Sequence, residues 1–376
     1  PLSVIGEEEL LYQALYRMSR QKIHRLGVVD PAGKLSGIIT DTDILRLQAH
    51  SPHQLVLDIE KAQHLDDFKT LHARIQALVT HLSGTGIPIR DLVRLIAHLN
   101  DQIVVRLIGL LRAEWFDDID ENSFAFLVLG SEGRGEQTLA TDQDNAIVYA
   151  DDLSPEQVKR IEEFSLALID GLIAIGVPAC KGGIMAKNAD WRRSLGDWQK
   201  QLARWMGTPT PDNILACSTF IDLRTAYGSP RFEEALKGQI YDQSDSNNLF
   251  LLRMVEGGLR FTPPIGWFGK IKGESGGEHS GELEIKKAGI FAITDGIKAL
   301  AVQNKMLSGS TLQRLEALRA AGIVDERDSA ALDEGFRFLV LMRLRSQLQD
   351  IAEGREPDNY IRLDRLNVME KGRLKI

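Results

Sequence analysis

Apolar positions recur at two periods along this chain, and the places where the period changes divide it into segments. Leu10, Leu11, Ala14, Leu15 and Met18 repeat at helical spacing, which predicts an amphipathic helix. A strand over 25–29, a turn at Asp30-Pro-Ala-Gly33, a strand over 35–39 and a helix from Thr42 follow. From 54 to 115 the spacing is helical, over 65–82 and 89–111, with Gly84-Thr-Gly-Ile-Pro88 as the break. The next hundred residues alternate. Segments 124–129 and 145–149 read as short buried strands, and 217–223 as a third. Between them Ser154-Pro-Glu-Gln157 opens a helix with a capping box, running to about Ile175. Trp191, Leu195, Trp198, Leu202 and Trp205 step by four and three, one stripe on a further helix and a packing feature rather than a binding platform. Residues 229–376 read as mostly helical, interrupted by the glycine-rich stretch 266–281, a loop because no strand-turn-helix frame surrounds it.

This pattern predicts an α+β multidomain chain: a unit at 1–48, a helical connector at 49–115, a mixed core with a small mixed sheet at 116–228, and a helical bundle at 229–376. At 376 residues the chain exceeds the roughly 250–300 that one hydrophobic core serves. With 43% hydrophobic and 26% charged residues it is neither disordered nor fibrous, and no run of 18 uncharged apolar residues predicts a transmembrane helix. It begins at Pro1 with no basic-then-apolar leader, so an internal fragment without a secretory signal is expected. Cys180 and Cys217 cannot build a disulfide framework or a cysteine-rich zinc site, which predicts a cytoplasmic protein.

A net charge of −8 argues against a large footprint on DNA or RNA. Residues 116–228, with 10 basic and 18 acidic groups, hold all of it; the remaining segments are balanced. Two readings stand: an acidic solvated face, or carboxylates gathered for divalent cations. Arg343, Arg345 and Arg355 lie among acidic residues and are read as a solvated helix face rather than a nucleic-acid track.

The chemistry concentrates in Phe126-Leu-Val-Leu-Gly-Ser-Glu-Gly-Arg-Gly-Glu-Gln-Thr-Leu-Ala-Thr-Asp-Gln-Asp-Asn-Ala-Ile-Val-Tyr149. An apolar strand runs into Gly130-Ser131, and a second strand begins at Asp142-Gln-Asp144. Residues two apart on a strand share a face, so Asp142 and Asp144 present neighbouring carboxylates while Asn145 and Ile147 face away. Such a pair repels itself unless a cation intervenes, and Mg²⁺ commonly combines one or two carboxylates with substrate phosphates. Opposite them, Gly130 allows close backbone approach, and Ser131 and the N–H groups of the turn can donate to phosphate. Arg134 adds a charge-assisted contact. Glu136 reads equally as a structural partner of Arg134 or as a participant.

Gly130-Ser131, ten intervening residues, then Asp142-x-Asp144 resembles the signature of the DNA polymerase β-type nucleotidyltransferase superfamily. The fuller string resembles the bacterial nucleotidyltransferase family joined to CBS domains, a relative of the PII uridylyltransferases. Nearly the whole chain takes part: Leu95-Ile-x-x-Leu-Asn-Asp101, Gly183-Ile-Met-Ala-Lys-Asn188…Trp191, Glu284-Ile-Lys-Lys-x-Gly-Ile-Phe-x-Ile-x-Asp295 and Pro357-Asp-Asn-Tyr360 resemble further family segments. The resemblance implies a third carboxylate on a later strand. Asp222 fits, as metal ligand and general base; the competing reading pairs it with Arg224. Gln143 and Asn145 depart from the superfamily, which prefers apolar residues there, but agree with the narrower group.

Residues 4–48 resemble a CBS motif, through His24-Arg-Leu-Gly-Val-Val-Asp-x-x-Gly33 and Gly37-Ile-Ile-Thr40-Asp-Thr-Asp43. By that resemblance Thr40 meets the phosphate and Asp43 the ribose of an adenine nucleotide; alternatively Asp41 or Thr42 caps a helix and Asp43 is a first-turn charge. CBS motifs work in pairs, so the partner motif lies upstream or in a second subunit, and a homodimer is expected. The leading expectation is a Mg²⁺-dependent enzyme, with two ions and Mn²⁺ as a substitute, transferring NMP from an NTP to an acceptor hydroxyl on a protein, with neither DNA nor membrane as partner. The alternative is a nucleotide-sensing module without turnover.

Overall fold

The computed structural model describes residues 3–43, 51–83, 87–140, 142–246, 248–259, 265 and 271–375. The Leu15 side chain, the expected helix beyond 43, residues 84–86 of the break, Thr141 and 266–270 of the glycine-rich stretch lie outside the described residues. The chain divides into two compact units, Pro1–Ala62 and Gln63–Ile376.

In the first unit β1 (Val4–Gly6), α1 (Leu11–Gln21), β2 (Arg25–Val29) and β3 (Leu35–Thr40) follow in order, with α2 (Pro52–Lys61) after them. The sheet runs β1-β2-β3, β1 parallel to β2 and β2 antiparallel to β3. Ala14 and Met18 pack on Ile5 and Leu26, as the helical spacing requires, whereas Leu10 and Leu11 stay 63% and 48% exposed. Asp30 closes the hairpin, its Oδ1 accepting the Ala32 and Lys34 N–H groups, and Gly33 takes the left-handed φ of +77° that completes the turn.

In the second unit two helices, α3 (Leu65–Ser83) and α4 (Ile89–Trp115), precede a four-stranded mixed sheet of β4 (Phe124–Val128), β5 (Asn145–Tyr149), β6 (Arg192–Ser194) and β7 (Arg224–Gly228). Its order is β6-β5-β4-β7; β4 is antiparallel to both β5 and β7, and β5 is parallel to β6. Every residue of β4 is buried, because both faces are covered. On one face Phe124 meets Phe164 of α6 (Pro155–Ala174) at 5.6 Å; on the other, Ala125 and Leu127 join the tryptophan cluster. A four-residue helix, α5 (Gly130–Gly133), follows β4 directly. Ser154 caps α6 through the expected capping box.

Trp198, Leu202 and Trp205 lie on α7 (Leu195–Gly207) and are buried. Trp191 precedes that helix in a short 3-10 turn yet packs against the same rings. Trp198 stacks on Phe220 at 4.3 Å and donates its indole N–H to the Ile147 carbonyl at 2.9 Å. Six further elements build the helical region: α9 (Arg231–Ser246), α10 (Asn248–Leu259), α11 (Phe291–Gln303), α12 (Thr311–Ala320), α13 (Glu326–Ala352) and α14 (Val368–Arg373). Two short strands, β8 (Glu282–Glu284) and β9 (Tyr360–Arg362), pair antiparallel among them.

One expected strand is a helix. Residues 217–223 fall mostly within α8 (Pro211–Ile221), and the strand starts afterwards, at Arg224. The decisive signal lies upstream: Thr210 accepts the Asn213 N–H and Pro211 occupies the first turn, a helix start that turns the apolar run into helix.

At the join of these elements a Cβ on Gly133 would stand 1.9 Å from the Asp222 carbonyl oxygen, whereas nothing lies within 4 Å of one on Gly109. Gly133→Ala is therefore expected to cost about 3 kcal/mol or more through overpacking. Gly109→Ala should be neutral or stabilising by up to about 1 kcal/mol; urea unfolding of both variants checks the contrast.

Candidate functional site

Sheet register brings the chemistry to one place. Val128, the last residue of β4, pairs with Asn145 on one side and Arg224 on the other, so the residues just before β5 and β7 meet the turn just after β4. Asp144 immediately precedes β5, and Asp222 lies two residues before β7. The Leu129 N–H donates to the Asp144 carbonyl at 2.8 Å. Gly130 has φ +52°, and a Cβ there would lie 3.1 Å from Asp144 Oδ2, so the absent side chain is the space the carboxylate occupies.

This corner opens on a cavity of about 590 Å³, within the range of small-molecule sites. Gly130, Ser131, Arg134 and Asp144 line it, together with Lys286, Thr294, Asp295 and Lys298 of the helical region. Burial pushes the Asp144 carboxyl up, opposed by the Cys180 thiol and Lys286 and reinforced by the like charge of Asp142. Asp142 and Asp144 are thus within electrostatic reach of each other, both half-buried, with Asp144 on the cavity wall. Among the described residues no group of three or more His, Cys, Asp or Glu side chains is placed to hold a metal ion. The pair still offers hard oxygen donors whose mutual repulsion a divalent cation would relieve, so these two residues fit Mg²⁺.

Asp222 does not join them as expected. It caps the C-terminus of α8 instead of lying on a strand, and it is 1% exposed. Its Oδ1 accepts Arg314 at 2.6 Å, and its Oδ2 accepts Arg134 at 2.5 Å and Lys298 at 2.8 Å. Burial would raise this carboxyl, but Lys298, Arg134 and Arg314 together outweigh it and hold it far below the usual carboxylate range. A carboxylate so committed makes a poor base, and three cations around it repel a metal. Its role is to join the turn to the helical region. The Arg224 pairing fails too, since Arg224 bonds Asp101 at 2.9 Å and the carbonyls of Glu132 and Gly133.

Arg134 lines the cavity as a partner of other side chains: its Nε donates to Glu136 at 2.8 Å and its Nη1 to Asp222. Glu136 is structural, also accepting the Thr311 N–H at 2.6 Å and hydroxyl at 3.1 Å. Gln143 and Asn145 point away from the cavity, as alternation requires. Asn145 Oδ1 accepts the Ala186 N–H at 2.8 Å and its Nδ2 donates to Gln143 at 3.2 Å, which anchors the Gly183–Asn188 segment beneath the site. Their polarity follows from a small polar cavity of about 30 Å³ shared with Asn100, Gln137 and Glu132.

In the first unit Thr40 and Asp43 face each other. The Thr40 hydroxyl donates to Asp43 Oδ2 at 2.6 Å, and the Asp43 N–H donates back to Thr40 Oγ1 at 3.1 Å. Thr40 is therefore the cap, while Asp41 bonds His24 at 2.6 Å.

Several residues of the site escaped the sequence reading. Lys286 is half-buried on the cavity wall, its ammonium pushed down to about 8 by burial and Arg343. Arg343 is 3% exposed and not on a solvated face. Lys298 is a single cation inside an apolar helical run, and that placement was its available signal; Arg314 and Arg343 have polar or charged neighbours and gave none.

Comparison with known proteins agrees with this geometry. Residues 73–212 match the family described as putative nucleotidyltransferase DUF294, residues 248–376 its putative nucleotidyltransferase substrate binding domain, and residues 1–50 the CBS domain. None of the curated proteins compared matches the chain.

Two electrostatic consequences can be measured. Asp222→Asn removes the counter-charge of three buried cations and should cost about 3–5 kcal/mol in denaturant unfolding. Glu132 is 6% exposed, and burial with the nearby Asp101 and Asp144 pushes its carboxyl up to about 8. The folded chain then keeps a proton that the unfolded chain releases near its ordinary value, so stability falls as pH rises through that window. Glu132→Gln should gain Tm over the parent by about 3 °C at pH 8 and by little at pH 5; an equal gain at both pH values would contradict this.

Proposed function

We propose that this chain, which belongs to the CBS-linked DUF294 nucleotidyltransferase family, is a cytoplasmic enzyme moving NMP from an NTP to an acceptor hydroxyl. The observation that carries the reading is Asp144 seated against the side-chain-free Gly130 at the mouth of a 590 Å³ cavity, with Asp142 beside it. In the proposed reaction the acceptor oxygen bonds the α-phosphorus, the bond from that phosphorus to the bridging oxygen breaks, and pyrophosphate leaves. Ser131 and the turn N–H groups hold phosphate oxygens, and Gly130 keeps that backbone accessible. The hydroxyl proton passes to the Asp142–Asp144 pair, because Asp222 is neutralised threefold. Mg²⁺ or Mn²⁺, one or two ions held by Asp142 and Asp144, would supply charge stabilisation for the entering and leaving oxygens.

The acceptor in this reading is a protein, as the resemblance to PII uridylyltransferases suggests. Thr40 and Asp43 form the adenine-nucleotide site of the first unit, and a second CBS motif, from upstream or from a second copy in a homodimer, completes it. Exposed Leu10, Leu11, Leu35 and Ile38 support such a completion. A sensor without turnover is the second reading, favoured by the sequestration of Asp222, which leaves two carboxylates where the superfamily has three.

Incubation with labelled NTPs, Mg²⁺ and lysate separates the two. Transfer that Asp142→Ala and Asp144→Ala each reduce at least about 100-fold, with unchanged Tm, supports the enzyme. Undiminished transfer in both variants refutes the site, and binding without product in the parent favours the sensor.

A further inference from the structure

The cations around the cavity are not equally employed. Lys298 is spent on Asp222 and the Ser218 carbonyl, each at 2.8 Å; Arg134 on Asp222 and Glu136; Arg253 on Glu256 at 2.7 Å. The exception is Lys286. It lines the same cavity as Asp144, and among the described residues its ammonium has neither a hydrogen bond nor an ion pair; its Nζ lies 5.7 Å from the Phe291 ring. A half-buried ammonium that feels Asp144 and Asp142 only through space keeps its N–H donors for an arriving anion.

Its place is built. Lys286 opens a π-helical turn, Lys286–Ile290, which displaces it from the regular α11 spiral. The adjoining Ile285 is fully buried, and its N–H donates to the Asn359 carbonyl at 3.0 Å. Asn359 Oδ1 accepts Arg343 Nε at 2.7 Å, and Arg343 Nη2 donates to the Ala140 carbonyl at 3.2 Å, two residues before Asp142. One residue, Asn359, therefore ties the backbone beside Lys286 to the loop that carries the acidic pair. Asp144 and an ammonium with unused donors line the same cavity, which leaves room for a group that contacts both.

We propose that Lys286 grips the terminal phosphates of the bound nucleotide, so that the helical region supplies the polyphosphate contact of the transferase site, with Asn359 and Arg343 as positioning residues. This rests on the nucleotidyl-transfer reading for the location of the nucleotide, but its test needs no turnover. Inorganic tripolyphosphate is titrated calorimetrically into the full chain and its variants. Lys286→Met, which keeps the packing on Phe291, should weaken binding at least about tenfold, and Lys286→Arg should restore most of it. Because among the described residues no hydrogen bond or ion pair is lost, only the contact with the Phe291 ring, Tm should change by less than about 2 °C in either variant. Equal affinity of the parent and Lys286→Met overturns the proposal, as does a parent that does not bind tripolyphosphate. If the parent shows no NMP transfer while Lys286→Met still loses tripolyphosphate, the transfer reading fails and the phosphate contact stands. Asn359→Ala tests the positioning arm: an intermediate loss of affinity supports it, and an unchanged affinity removes Asn359 from the assignment.

Discussion

A buried carboxylate surrounded by cations gives the second unit its central constraint. Asp222 ends α8, and its oxygens bind side chains from the turn after β4, from α11 and from α12. None of these charges could be buried alone; with Glu136 on Arg134 and Asp295 on Lys298, carboxylates and cations offset one another only if all four segments arrive. The Glu136 bonds to Thr311 fasten the same turn to α12 a second time. The turn after β4 is thereby braced from behind while Gly130 and Ser131 line the cavity.

That arrangement explains why the site is made from distant stretches of chain. Register sets Asp144 beside Gly130, and the end of α8 just before β7 sets the Asp222 backbone against Gly133. Glycine is required there for two separate reasons: Gly130 leaves space for a carboxylate, and Gly133 leaves space for the backbone of Asp222. The connector helix takes part as well, through Asp101 on Arg224 and Asn100 on Gln137.

Local signals were legible in the sequence. The β4 run, the strand over 145–149 and the Ser154 capping box follow from period and cap chemistry, and the structure contains them, whereas Asp142 and Asp144 precede the strand they were expected to begin. Asp222 was singled out correctly as a charge in apolar surroundings, but the partner set of a buried charge is a tertiary property, and spacing pointed only to nearby Arg224. The three cations that hold it come from residues 134, 298 and 314, which no local window joins. The helix at 211–221 was missed because an apolar run of that length suits either element, and the Thr210–Pro211 start was the arbiter. Arg343 was read as solvated from its charged neighbours, whereas its helix turns it inward onto Asn359.

The Thr40–Asp43 pair has a mechanical consequence for the first unit. The hydroxyl of one residue and the carboxylate of the other bond across three positions, with two backbone N–H groups joining in, so the chain leaving β3 is latched to the strand it has just left. Loss of either side chain releases both ends of that latch at once.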